Sequence, residues 1–195
     1  MAKKTKKKIL KKKVTVQKKA NPQKRVKPKL AKKASAAPAS STPKIGASLP
    51  AFSAASTSGT EFRLADQKGR KIVLYFYPKD ATPGCTIEGH EFTKLLPEFQ
   101  KLGVDVYGVS RDSIASHEKF KKKECFEFDL LSDPDEKLCK IFDVIKEKNM
   151  YGKKVLGVER STFVIDSQGR LAAEWRKVKA EGHAQEVLNK LKEMA

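Results

Sequence analysis

Ile72-Val73-Leu74-Tyr75-Phe76-Tyr77-Pro78-Lys79-Asp80-Ala81-Thr82-Pro83-Gly84-Cys85 is the stretch on which the fold turns. Its first six residues are apolar, β-branched or aromatic, the composition of a strand inside a sheet. Pro78 and Pro83 punctuate a turn, and beyond Cys85 the apolar residues Phe92, Leu95, Leu96 and Phe99 recur at helical spacing. A strand that runs through a Pro-rich turn into a helix leaves Cys85 at the helix N-terminus. Unpaired backbone N–H groups converge there and the helix dipole is positive, so a thiolate is stabilised. The thiolate is the nucleophilic form of cysteine. A single cysteine is more often a small buried apolar side chain; the strand, the turn, Thr82 just ahead and the helix start together point to chemistry.

Outward from this segment, strands and helices alternate. A strand pair is expected around Glu61–Ala65, a turn at Asp66–Gly69, and a central strand over Lys71–Tyr77. Gly103 ends the helix of Cys85, and Val104–Ser110 reads as the next strand. Asp112-Ser113 caps a helix running to about Lys123. Phe126–Leu131 returns the chain to the sheet, and Asp133–Phe142 is a short helix carrying Leu138, Ile141 and Phe142. Arg160–Asp166 and Leu171–Trp175 form a hairpin around Ser167–Arg170, and a last helix from about His183 packs Val187, Leu188 and Leu191. The order implies an α/β domain, a central sheet flanked by helices. Periodicity does not separate it from other α/β sandwiches.

Pro78, Thr82 and Cys85 fill the Pro-x-x-x-Thr/Ser-x-x-Cys signature of the peroxiredoxins, and the chain resembles that family. Thr82-Pro83-Gly84-Cys85-Thr86 is similar to the peroxiredoxin Q group, also called bacterioferritin comigratory proteins. The likeness continues at Leu131–Asp135 and Glu159–Asp166, and so covers about residues 45–195. It implies a thioredoxin-like fold with a mixed central sheet. It also implies a thiol-dependent peroxidase that reduces hydrogen peroxide and organic hydroperoxides to water and alcohols through a cysteine sulfenic acid. Thioredoxin or another thiol would be the reductant. Carried onto this chain, the family roles make Cys85 the attacking thiol, with Thr82 and the amides around Gly84-Cys85 binding peroxide. Arg160 would stabilise thiolate and leaving oxygen, and Pro78 would wall off the pocket.

The departure from the pattern is His90, where many of these proteins carry a second, resolving cysteine. Others place it on the next helix, at the position of Lys121 here. Cys125 lies one helical turn further and shares that face if the helix extends so far. Two readings stay open: Cys125 resolves the sulfenic acid, or an external thiol does and Cys125 is inert. Thr82 also has a plain reading as a helix cap, and Arg160 as a solvated charge at a strand start. Glu88 reads as a first-turn carboxylate that stabilises the helix. It is left out of the catalytic set because a carboxylate beside Cys85 opposes a thiolate. Cys139, between Leu138 and Ile141, reads as core.

Composition divides the chain in two. Residues 1–44 carry 17 of the 42 Lys and Arg and none of the 23 Asp and Glu, so most of the formal charge of +19 lies there. Residues 1–34 have too few apolar side chains to offset the entropy of ordering, and Ser35–Pro43 reads as a linker. A disordered basic tail and linker over 1–44 and a domain over 45–195 are expected. Such a tail would bind DNA through phosphates without reading sequence; it holds no aromatic residue for base stacking. This supplies the competing reading, a basic nucleic-acid-binding protein whose peroxiredoxin-like domain is catalytically idle. With no long apolar run, no membrane span or secretory leader is expected. The odd cysteine count of three fits a reducing compartment. The expected site is the cytoplasm, with association with DNA or the nucleoid, or the nucleus in a eukaryote. Scattered histidines and the lack of Cys-x-x-Cys, Walker or Gly-x-Gly-x-x-Gly motifs give no metal or nucleotide cofactor a foothold, and a monomer is expected.

Overall fold

The structure, a computed structural model, describes residues 42–150 and 153–194. The expected disordered tail, but for its last residues, lies outside that range. The elements in chain order are β1 (Ser53–Ser56), β2 (Glu61–Arg63), a 3-10 turn (Leu64–Gln67), β3 (Lys71–Phe76) and α1 (Pro83–Lys101). They continue with β4 (Val104–Ser110), α2 (Ile114–Glu124), β5 (Asp129–Ser132), α3 (Lys137–Ile141), β6 (Ile145–Met150) and β7 (Lys153–Val158). β8 (Ser161–Ile165), β9 (Leu171–Trp175) and α4 (His183–Glu193) complete the domain.

Seven strands form one mixed sheet in the order β2-β1-β5-β4-β3-β8-β9. β3, β4 and β5 are parallel neighbours, while β8 runs antiparallel to β3. The apolar run of β3 makes it central, as the sequence implies, because its successive side chains feed opposite faces. Val73, Tyr75 and Tyr77 join Phe92, Phe99, Val187 and Leu191 on one face, under α1 and α4. Ile72, Leu74 and Phe76 join Leu138, Phe142 and Phe163 on the other. This is the thioredoxin-like arrangement. Among the described residues no helix is long and apolar enough to cross a membrane.

Three local expectations are corrected. Residues 64–67, expected to end a strand and begin a turn, form a 3-10 helix instead. The helix expected over Asp133–Phe142 is confined to Lys137–Ile141, because the Asp133 carboxylate accepts from the backbone N–H of Lys137 and Cys139 and so stands ahead of the helix. The hairpin β6–β7, a separate two-stranded sheet, has no counterpart in the sequence reading.

The topology delivers the site. Phe76 at the end of β3 pairs with Ser161 at the start of β8, so Arg160 arrives beside the turn that leads to Cys85. The packing here is tight. A Cβ on Gly108 of β4 would lie 2.7 Å from the Tyr75 ring and 2.8 Å from Leu130, both fully buried. Gly108→Ala is predicted to lower unfolding free energy by about 1–3 kcal/mol. An unchanged urea midpoint would contradict this packing.

Candidate active site

Pro83 occupies the first turn of α1, where its missing N–H costs nothing. Cys85 follows two residues later and is 2% exposed. Thr82 is the N-cap residue with extended backbone (φ −90°, ψ 148°), but its side chain makes no capping bond. Its hydroxyl donates to the Lys79 carbonyl at 3.1 Å instead, so the plain capping reading does not describe its side chain. Pro78 is half-buried at the head of the same turn.

Arg160 reaches the thiol from the far side. Its Nη2 donates to Cys85 Sγ at 3.4 Å across 75 residues of sequence. Gly84 makes room: a Cβ there would stand 3.2 Å from that same nitrogen. The other arm of the guanidinium, Nη1, bonds Glu88 Oε2. Burial works against the charge on Arg160, but Glu88 and Cys85 outweigh it and raise its pKa. Among the sequence-derived candidates, Cys85, Thr82, Pro78 and Arg160 are thus carried to one end of the sheet.

Glu88 is the residue that the sequence reading left out. It lies in the second turn of α1, not the first, with its side chain fully buried. It is the partner of the arginine, and the guanidinium stands between its charge and the sulfur. The usable signal was spacing: Glu88 is three residues after Cys85, hence on the same helical face. Burial pushes its pKa up to about 7 against the pull of Arg160, and nearby Glu91 adds to the rise.

Cys125 does not sit on the helical face expected of it. α2 ends at Glu124, and Cys125 is its C-cap in the left-handed region (φ 56°, ψ 41°), exposed. Its neighbours on either side touch α1: His90 Nε2 lies 3.1 Å from Glu124 Oε2, and the His90 ring meets Phe126 edge-on at 5.5 Å. Cys139 is fully buried, as expected, and burial with Asp133 nearby pushes its thiol pKa up. Among the described residues no cluster of His, Cys, Asp and Glu could hold a metal ion. A cavity lined by Leu49, Leu64, Ile72 and Asp166 lies at the opposite end of β3 and contains no thiol.

A thiol at a helix N-terminus, gripped by a half-buried arginine on a thioredoxin-like sheet, defines the class as a redox-active cysteine enzyme. Residues 45–174 match the AhpC/TSA family. Peroxiredoxin Bcp of Xanthomonas campestris is 57% identical over 136 residues, covering 70% of this chain and 85% of that protein. Peroxiredoxin Bcp of Bacillus subtilis is 47% identical over 154 residues, covering 79% and 98%. Among solved structures, the Xanthomonas campestris bacterioferritin comigratory protein, described for its alkyl peroxide reduction activity, superposes with a TM-score of 0.71 at 54% identity, covering 73% of this chain and 91% of that one. Xylella fastidiosa PrxQ gives a TM-score of 0.75 at 49% identity, with 79% and 98% covered. The chain belongs to the AhpC/TSA family and is a peroxiredoxin, a thiol peroxidase of the Bcp/Q kind.

Glu88 makes a pH-dependent contribution to stability. Its folded pKa of about 7 lies above the ordinary 4.5, so the folded state binds this proton more tightly. That contribution is complete below the ordinary value and is lost as pH rises through the folded one. The stability of wild type relative to Glu88→Gln is predicted to fall between pH 4.5 and 7 and level off above. A difference independent of pH, in urea melts across that window, would contradict the assignment.

Proposed function

We propose that Cys85 reduces hydrogen peroxide and organic hydroperoxides, with Arg160, Thr82 and Pro78 completing the site. The observation that carries this reading is the guanidinium held 3.4 Å from a buried sulfur at a helix N-terminus. The Cys85 thiolate attacks the hydroxyl oxygen of the peroxide; the S–O bond forms as the O–O bond breaks. Sulfur is oxidised by two electrons to the sulfenic acid, and the leaving oxygen takes a proton to become alcohol or water. Thr82, whose own hydrogen is directed at Lys79, keeps lone pairs free to accept the peroxide O–H. Arg160 donates to the sulfur and to the oxygen on which charge develops, and Pro78 limits water. Arg160→Met is predicted to lower the second-order rate constant with hydrogen peroxide about 100- to 1000-fold. A folded variant that keeps the wild-type constant in stopped-flow assays would remove Arg160 from the mechanism.

We propose further that Cys125 resolves the sulfenic acid: its thiolate attacks Cys85 sulfur, the S–O bond breaks, hydroxide leaves and takes a proton to become water, and a disulfide forms for thioredoxin or another dithiol to reduce. Its exposure, and the seating of Glu124 and Phe126 against His90 of α1, support this reading. A disulfide needs Cα atoms within about 7 Å, and partial unwinding of the first turns of α1 is expected to accompany it. One equivalent of peroxide should then yield a Cys85–Cys125 disulfide that is absent in Cys125→Ser. A sulfenic acid persisting on Cys85 in the unmodified chain would assign resolution to an external thiol.

The basic segment 1–44 is proposed to hold the enzyme near DNA, and so at the nucleoid of a cytoplasm, by phosphate contacts. Its support is the charge, 17 Lys and Arg with no acid. If about ten cations engage duplex DNA, log K falls with log salt at a slope near −9. Removing the segment should abolish retention on DNA and leave peroxidase activity intact; loss of activity with it would overturn this division of labour. The buried thiol–arginine pair favours this over a DNA-binding protein with an idle domain. The domain is proposed to act as a monomer, since its exposed large apolar side chains among the described residues, Ile45, Ile87, Met194 and the adjacent Val155 and Leu156, come from four separate segments.

A further inference from the structure

Between β3 and α1 the chain is pinned at Asp80, a carboxylate only 7% exposed. Oδ1 accepts from the Tyr77 hydroxyl at 2.8 Å, and Oδ2 accepts from the Ser116 hydroxyl at 2.7 Å. Its backbone N–H donates to Asp112 Oδ2 at 2.8 Å. Across from it stands His117 of α2, fully buried, with Nδ1 2.9 Å and 3.0 Å from the two carboxylate oxygens. His117 Nε2 lies 3.2 Å from the Leu131 carbonyl oxygen on β5. A carboxylate and a carbonyl offer only lone pairs, so the buried ring faces an acceptor at each of its nitrogens. Burial disfavours the charge on Asp80, yet the bonds from His117, Ser116 and Tyr77 outweigh it and hold its pKa below the usual carboxylate value.

A buried polar pair is a poor source of net stability, because desolvation offsets most of the attraction. What it supplies is fixed geometry, and the next residue shows where that is needed. Ala81 has φ +55°, a left-handed conformation that strains a residue with a Cβ. Such strain persists only where the surroundings over-determine the backbone. Thr82 and Pro83 follow immediately, then Cys85. The conformation at 81 therefore sets the position of the Thr82 hydroxyl and the amides of the first turn of α1 relative to Arg160.

We propose that Asp80 and His117 are positioning residues: their buried pair holds Ala81 in its strained conformation and thereby sets the peroxide-binding geometry of Thr82 and Cys85. Neither residue touches the reacting atoms. The inference rests on the peroxidase reading above and predicts a particular defect. Attack on peroxide needs sulfur, Thr82 and Arg160 in register; alkylation by iodoacetamide needs only a reachable thiolate. Loosening the loop should therefore slow the first reaction far more than the second.

The test compares the second-order constants for hydrogen peroxide and iodoacetamide in the full chain, for wild type, His117→Gln, Ser116→Ala, Ala81→Gly and His117→Gln/Ala81→Gly. His117→Gln is expected to lose about 10- to 100-fold with peroxide and less than about threefold with iodoacetamide. Glycine adopts the left-handed conformation without strain, so adding Ala81→Gly to His117→Gln should recover at least about threefold of the peroxide constant. Should His117→Gln fail to fold, Ser116→Ala, which removes one donor at the edge of the network, takes its place. It is expected to lose about two- to fivefold with peroxide while alkylation holds. Peroxide constants within about twofold of wild type in a folded His117→Gln, or a parallel fall in both reactions, overturn the inference. So does the absence of rescue by Ala81→Gly. If wild type itself reacts no faster with peroxide than a free thiol, the peroxidase reading fails, and this inference falls with it.

Discussion

Between the carboxylate of Glu88 and the sulfur of Cys85 stands the guanidinium of Arg160, with 15% of its side chain exposed. A cation so far from water must be matched by anions, and the structure supplies the Glu88 carboxyl group and one sulfur that can carry charge. The antiparallel register of β8 on β3 brings the arginine to the C-terminal end of β3. The bare backbone of Gly84 lets the guanidinium come close. The helical spacing of Cys85 and Glu88 offers both partners from one face. Changing any of these would leave a buried charge without its partner, which ties the fold to the site.

The other side of the thiol is governed by conformational strain. In the proposed mechanism Arg160 stabilises the developing charge, and Asp80 and His117 hold the turn that presents the peroxide-binding groups. Both arrangements bury polar and titratable side chains, and both border the turn from Pro78 to Cys85. The aromatic packing of Tyr75, Tyr77 and Phe92 behind that turn provides the rigid backing. On the proposed mechanism the binding geometry is set before peroxide arrives, as attack on an O–O bond at a dry site demands.

Much of this was legible in the sequence. The run Ile72–Tyr77 announced a central strand, Val104–Ser110 is found at its expected bounds, and the Pro-rich turn put Cys85 at a helix start. Local signals carried these elements, since alternation, caps and breakers act over a few residues. What was not legible depends on distant pairing. Nothing local says that Arg160 meets Cys85, or that Asp80 meets His117 from a neighbouring helix. In sequence Glu88 and Cys85 stand only as like charges on one helical face; the fold alone puts the Arg160 cation between them. The β6–β7 hairpin escaped because Ile145–Val158 is lysine-rich and lies outside the main sheet. Cys125 fell just past the end of α2, where a boundary shift of one residue turns a helical face into a left-handed cap.

The central claim is that the environment of Cys85, not cysteine chemistry in general, makes this chain a peroxidase. The direct measurement is a titration of the full chain with one equivalent of hydrogen peroxide, followed by mass spectrometry of all three thiols with a sulfenic-acid trap present. The account predicts that oxygen enters at Cys85 first and fast, and that Cys139 stays unmodified while the domain is folded. Oxidation spread evenly over the thiols, or entering first at the exposed Cys125, would contradict it.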